Sequence, residues 1–311
     1  MTKRPKFLTW LAVASLAWGA GVVYNVYLGG ETYWLKAMYQ RKIALAQQID
    51  QPKLIVTGGS GAHYTINSDL LSRELGQPVI NLGIDGPVGL DVILPSVLDQ
   101  VQPGDTVLLI PEYLLLLDED GLGDRSGPFS LAIGRPGLGQ IPAEQLALDT
   151  LQLGIPSLRG IVKSSMDLIE TGKLTGYYDD PLTQSGDPTL DKPRLGEWWP
   201  QQIREPVSAH SVRRIQQFRD QVEARGGQLV LSLPWVYAEP NPETVENVRK
   251  TVDALSPIAP LLYDPETLNI QASPDLFADT HYHLQAEGRR LRSQQLALQL
   301  ETLPNLPQPT P

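Results

Sequence analysis

The chain has 311 residues, of which 41% are hydrophobic, and its 35 acidic and 25 basic side chains give a formal charge of −10. That length suits one large α/β domain with an insertion, and the hydrophobic share can fill a sizeable core. The lack of any dense Lys/Arg run argues against nucleic acid as a partner, and the lack of cysteine excludes disulfides, thiolate catalysis and Cys-based zinc sites together.

From the N-terminus, the run Phe7 to Gly30 carries no charged residue and follows Lys3, Arg4 and Lys6. A bilayer core needs about 20 apolar residues, so this run can span one. Trp10, Trp18, Tyr24 and Tyr27 include residues suited to an interfacial aromatic belt. The basic flank predicts an inside N-terminus and an extracytoplasmic remainder, a contrast reduced by Lys36, Arg41 and Lys42. A cleaved signal peptide is the alternative, because Ser15-Leu16-Ala17 resembles a small-x-small site. Apolar character persists to Leu28, which favours a retained anchor over residues 1–30.

Glu31 to Ile49 has Leu35, Met38, Ala46 and Ile49 at helical spacing, which predicts a helical stalk over 31–51. From Pro52 the pattern changes. Lys53–Thr57, Val79–Leu82, Thr106–Ile110 and Gln228–Leu233 are short apolar runs of the kind that form central parallel strands. Ser68–Leu75, Leu90–Val101 and Ala209–Ala224 read as helices between them. Such alternation predicts an α/β fold with a doubly wound, flavodoxin-like parallel sheet over 52–303. The Gly- and Pro-rich stretch 114–206, with Tyr177, Tyr178, Trp198 and Trp199, is too long for a bare loop and reads as an insertion. It is either a partly helical cap or a surface decoration. A last helix over Gln285–Leu300 precedes a Pro-rich tail, 304–311, whose composition predicts disorder.

Three segments carry chemistry. Thr57-Gly58-Gly59-Ser60-Gly61 follows the first strand, where ligands of open α/β sheets bind, so Ser60 can offer its hydroxyl to a cleft. A phosphate loop would need a different glycine pattern. His63, nearby, reads as a packing or surface histidine. Asn81-Leu82-Gly83-Ile84-Asp85-Gly86-Pro87 follows the second strand; its glycines either close a turn or offer a backbone N–H to an oxyanion. Asp279-Thr280-His281-Tyr282-His283-Leu284 brings an acid and two histidines to the start of the last helix. A base oriented by a carboxylate is one reading. Metal binding by Asp279, His281 and His283 is the other, weakened by a total of only four histidines.

Together these segments resemble the SGNH, or GDSL-like, hydrolase superfamily. Gly59-Ser60 stands where the family's serine lies, Gly86 where its oxyanion glycine lies, and His283-Leu284-Gln285-Ala286-Glu287-Gly288 resembles its closing block. The resemblance spans roughly 52–112 and 207–301. It implies Ser60 as nucleophile, His283 rather than His281 as base, Asp279 as its partner, and the N–H groups of Ser60 and Gly86 as oxyanion donors. No cofactor or metal is implied. Asp279 lies four residues before His283 where the family often has three, and Pro111-Glu112-Tyr113 replaces the third block, whose Asn completes the oxyanion hole. An ionised Glu112 cannot donate a hydrogen bond. The expected function is an extracytoplasmic serine esterase or O-acyltransferase acting on acylated cell-envelope glycans, with an acylated glycan or other ester as substrate. Envelope relatives that move acyl groups, in alginate acetylation and teichoic acid D-alanylation, make transfer a real option. A non-catalytic envelope protein that binds glycan or scaffolds an assembly is the rival. A soluble intracellular esterase would need the N-terminal run packed inside.

Overall fold

Short runs of Leu, Ile and Val leave no polar face for water, so they pair as strands buried on both sides. The computed structural model describes residues 4–172, 174, 181–189, 194 and 199–303; the expectations placed on Tyr177, Tyr178, Trp198 and the tail 304–311 lie outside these residues. The strands are β1 Leu54–Thr57, β2 Val79–Asn81, β3 Thr106–Leu109, β4 Gln228–Ser232, β5 Val236–Tyr237, β6 Leu261–Leu262 and β7 Ile270–Gln271. Five of them form one parallel sheet in the order β2-β1-β3-β4-β6, and β5 pairs with β7 separately.

The helices are α1 Arg4–Val23, α2 Glu31–Ala46, α3 Ser60–Thr65, α4 Ser68–Leu75, α5 Leu90–Val97, α6 Tyr113–Leu116, α7 Ser126–Ala132, α8 Ala143–Leu153, α9 Leu158–Thr171, α10 Ala209–Glu223, α11 Pro242–Leu255 and α12 Ala286–Glu301. Side chains alternate across a strand, and the core divides accordingly. Ile55, Ile80, Val107 and Leu229 face α5, α10 and α11. Leu54, Val56, Leu108 and Val230 face α4 and α12 through Leu71, Leu75, Leu296 and Leu300. The result is an α/β arrangement whose five-stranded parallel sheet is covered on both faces, consistent with a doubly wound sheet. Strand order reverses between β1 and β3, which puts the switch point, the favoured ligand crevice of such sheets, at their carboxyl ends.

The chain divides into two compact units, residues 1–38 with 125–179, and 39–124 with 180–311. The first contains α1, which belongs to a helical run, Lys6–Ala46, long and apolar enough to cross a membrane. In the stretch read as a helical stalk, α2 covers Glu31–Ala46, and its Leu45 and Ala46 are buried among the sheet-packing side chains. Within the sheet unit, Lys53 and Asp105 form a fully buried ion pair at 2.9 Å, with the Lys53 backbone N–H also donating to Asp105 at 3.0 Å. The pair fastens the start of β1 to the start of β3.

Candidate active site

β1 delivers its chain to a tight turn. Gly58 has φ of +151°, and a Cβ there would collide with the Ile110 carbonyl at the end of β3, so only glycine fits. The Gly58 carbonyl accepts from Ile84 N–H at 3.1 Å, tying the turn after β1 to the loop after β2. Gly59 is extended and precedes α3, whose first residue is the half-buried Ser60.

Glu112, fully buried after β3, spans this turn. Its carboxyl accepts from Gly59 N–H at 3.0 Å, from Gly61 N–H at 2.5 Å and from the Ser60 hydroxyl at 3.4 Å. A Cβ on Gly86 would lie 3.6 Å from Glu112 Oε1, so Ser60, Gly86 and Glu112 occupy one neighbourhood. Burial pushes the Glu112 carboxyl from 4.5 up to about 7, against the pull of the Gly61 and Gly59 N–H groups, with Asp85 adding to the rise. Near neutral pH the group therefore exists in both forms, and its protonated form is a donor.

The other half of the site comes from the segment before α12. His283 Nδ1 and Asp279 Oδ1 are 2.7 Å apart, with the His283 side chain 9% and Asp279 23% exposed. A carboxylate accepts, so Nδ1 carries the proton and Nε2 is the basic nitrogen. The four-residue spacing closes because Thr280 Oγ1 accepts from the N–H groups of both Tyr282, at 3.2 Å, and His283, at 3.0 Å. Tyr64 joins the halves: it lies on α3, its ring sits 4.5 Å from that of His283, and its carbonyl accepts from Leu284 N–H at 3.3 Å. Asp279 and His283 are thus brought together, as are Ser60, Gly86 and Glu112.

His281 goes elsewhere. Its Nε2 lies 2.7 Å from the Trp199 carbonyl, and its ring stacks on Tyr237. Asp279, His281 and His283 therefore do not converge on one point. Among the described residues no group of three or more His, Asp or Glu side chains is placed to hold a metal ion. His63 is wholly buried, as a packing residue would be.

Sequence reasoning missed the support beneath the serine turn. Lys42, fully buried on α2, places its Nζ 2.9 Å from His63 Nδ1 and donates to the Gly83 carbonyl at 2.6 Å. Asn81 accepts from Gly83 N–H at 2.9 Å and donates to Asp187 at 3.0 Å, and Asp187 also accepts from the Ser68 hydroxyl at 2.8 Å. Gly83 itself is a close-approach glycine, because a Cβ would lie 2.7 Å from His63 N. The network fixes α3 against the loop that carries Gly86. A lysine amid apolar helical spacing was its only trace in the sequence.

No protein-family model matches the chain. No curated protein matches it either. Among solved structures it is similar to protein YxiM from Bacillus subtilis, at 11% identity and a TM-score of 0.37, over 83% of this chain and 58% of that one. The chain spans less than two thirds of that protein's length, and a likeness at this score carries no argument on fold or activity.

Proposed function

We propose that the chain is a membrane-anchored serine esterase or O-acyltransferase that works outside the cytoplasm on acylated cell-envelope glycans. The observation that carries the chemistry is the Asp279–His283 pair, packed on the helix that begins at Ser60 at the sheet's switch point. The envelope and the glycan rest on the resemblance to SGNH proteins and on the membrane-length helix.

In this reading Ser60 Oγ attacks the ester carbonyl carbon while His283 Nε2 takes the hydroxyl proton. Asp279 holds the tautomer and stabilises the imidazolium. The backbone N–H groups of Ser60 and Gly86 face the oxyanion, and protonated Glu112 supplies the donor that an asparagine would otherwise give. His283 returns the proton to the departing alcohol. Water or a glycan hydroxyl, deprotonated in turn by His283, then releases the acyl group from Ser60.

The second reading, a non-catalytic envelope protein that binds glycan or scaffolds an assembly, is favoured by one observation. Glu112 occupies the N–H groups of Gly59 and Gly61, and when ionised it repels an oxyanion. The test is fluorophosphonate labelling of the full chain in detergent, beside Ser60→Ala and His283→Ala. Labelling lost in both variants supports the enzyme. A folded, unlabelled wild type refutes it in favour of the binding protein.

A further inference from the structure

In the unit that carries α1, one helix buries the wrong side for a protein surrounded by water. On α9 the residues packed inward are Gly160, Ser164 and Asp167. The apolar residues of that helix point out: Leu158 is 78% and Ile169 84% exposed, with Ile161 and Val162 beside them. At 3.6 residues per turn these four positions share one face. α8 also exposes apolar side chains, Leu148 and Leu151, although it buries Leu153 as well as Asp149, and Ile155 in the connecting turn is 70% exposed. An apolar face of this extent on a soluble protein marks a docking surface.

The α8–α9 turn is also fastened to the apolar helix as lipid would require. The last carbonyls of a helix lack intrahelical partners and normally take water. Here Trp18 Nε1 donates to the Leu151 carbonyl at 2.9 Å and Asn25 Nδ2 to the Leu153 carbonyl at 2.7 Å. Gly21 meets Gly154 backbone to backbone with no room for a side chain, the small-residue contact by which helices pack in membranes. Tyr24 and Ser164 share a hydrogen bond at 2.7 Å, and Ser164 donates to the Gly29 carbonyl at 2.9 Å. Polar groups at this junction satisfy one another, while Arg159, Lys163 and Glu170 form an exposed charged flank beside the apolar face of α9. A helix divided in this way can lie in the membrane interface with its apolar face in the acyl boundary and its charges at the headgroups.

We propose that α8, α9 and their turn form a second membrane element, a hairpin whose apolar face enters lipid at the membrane interface, so that the protein holds the bilayer by more than one helix. The occupant of the apolar face is lipid because that face is built onto the same helix whose length and composition suit a membrane span.

The wild-type chain contains no cysteine, so single-cysteine variants report one position each. Full-length Ile155→Cys, Leu158→Cys and Ile169→Cys would be labelled with an environment-sensitive fluorophore. Vesicles of phosphatidylethanolamine and phosphatidylglycerol, with or without nitroxide on the acyl chains, would receive them. The control is Glu246→Cys, on the solvent side of α11 with 60% of its side chain exposed. The expected result is a blue shift at 155, 158 and 169 and loss of intensity with nitroxide lipid, neither occurring at 246. Water-like, unquenched emission at 155 and 169 would overturn the proposal. So would a blue shift without quenching, which would mean a protein, not lipid, covers the face.

Discussion

Replacing Glu112 with Gln keeps the side chain's shape and removes its proton equilibrium. In the unfolded chain this carboxyl titrates near 4.5, and burial raises it to about 7 in the fold. Between those pH values the folded state binds the extra proton, so stability falls as pH rises through the window. The contribution is fully present below about pH 4.5 and is lost as pH passes about 7. At 1.36 kcal/mol per pH unit, the gap amounts to about 3 kcal/mol. Glutamine has one acceptor oxygen for the Gly59 and Gly61 N–H groups, so the variant also carries a fixed penalty. That penalty does not depend on pH and drops out of the slope. The assay is denaturant unfolding of both full-length proteins, followed by tryptophan fluorescence from about pH 4 to about pH 8. Wild-type stability minus that of the variant should decline by about 3 kcal/mol across the range. A flat difference would mean that the folded carboxyl keeps its ordinary value near 4.5 and is ionised at neutral pH, and its role as a donor would fall with it. The catalytic counterpart runs the same way: fluorophosphonate labelling of the wild type should drop about fivefold between pH 7 and pH 8, and that of the variant should not.

Asp279→Asn should leave the fold intact but release the imidazole tautomer, cutting the labelling rate by about 10³–10⁴; an unchanged rate would remove Asp279 from the mechanism. Lys53→Met leaves Asp105 as a buried, unpaired charge and should cost about 3–5 kcal/mol in denaturant unfolding. Adding Asp105→Asn should restore much of that loss, and no recovery would mean that packing, not charge, sets the cost. Gly58→Ala forces a side chain into the space of the Ile110 carbonyl and should lower the unfolding midpoint as well as labelling; wild-type values for both would refute the claim that the turn needs glycine.

Four of the sheet's strands were legible because each is a continuous apolar run with a clear boundary. The fifth, β6, has only two residues, Leu261 and Leu262, and the β5–β7 pair is equally short. No periodicity exists over two positions, so such strands are set by packing. α11 also went unread, although Asn241 caps it and Pro242 opens it. The serine turn and the Asp–His segment were legible as local motifs, because short-range geometry brings Asp279 onto His283. Lys42, Asn81 and Asp187 were not, since their meeting is tertiary and Lys42 looked like any cation on an amphipathic helix. Glu112 was read as the family asparagine's poor replacement, and its proton affinity depended on burial that sequence could not supply.

In the proposed membrane-anchored reading, the place of Lys42, Leu45 and Ala46 in the sheet unit bears on how the protein could be released. A protease cutting between α2 and β1 would leave that unit without a buried cation and two core side chains, a substrate for degradation and not a shed enzyme. A cut before Tyr39, in a stretch already helical and a poor fit for a protease cleft, would spare those side chains. It would still not free the unit, because residues 125–179 are joined to it at both ends and carry the proposed second membrane element. Shedding would therefore take more than one cut.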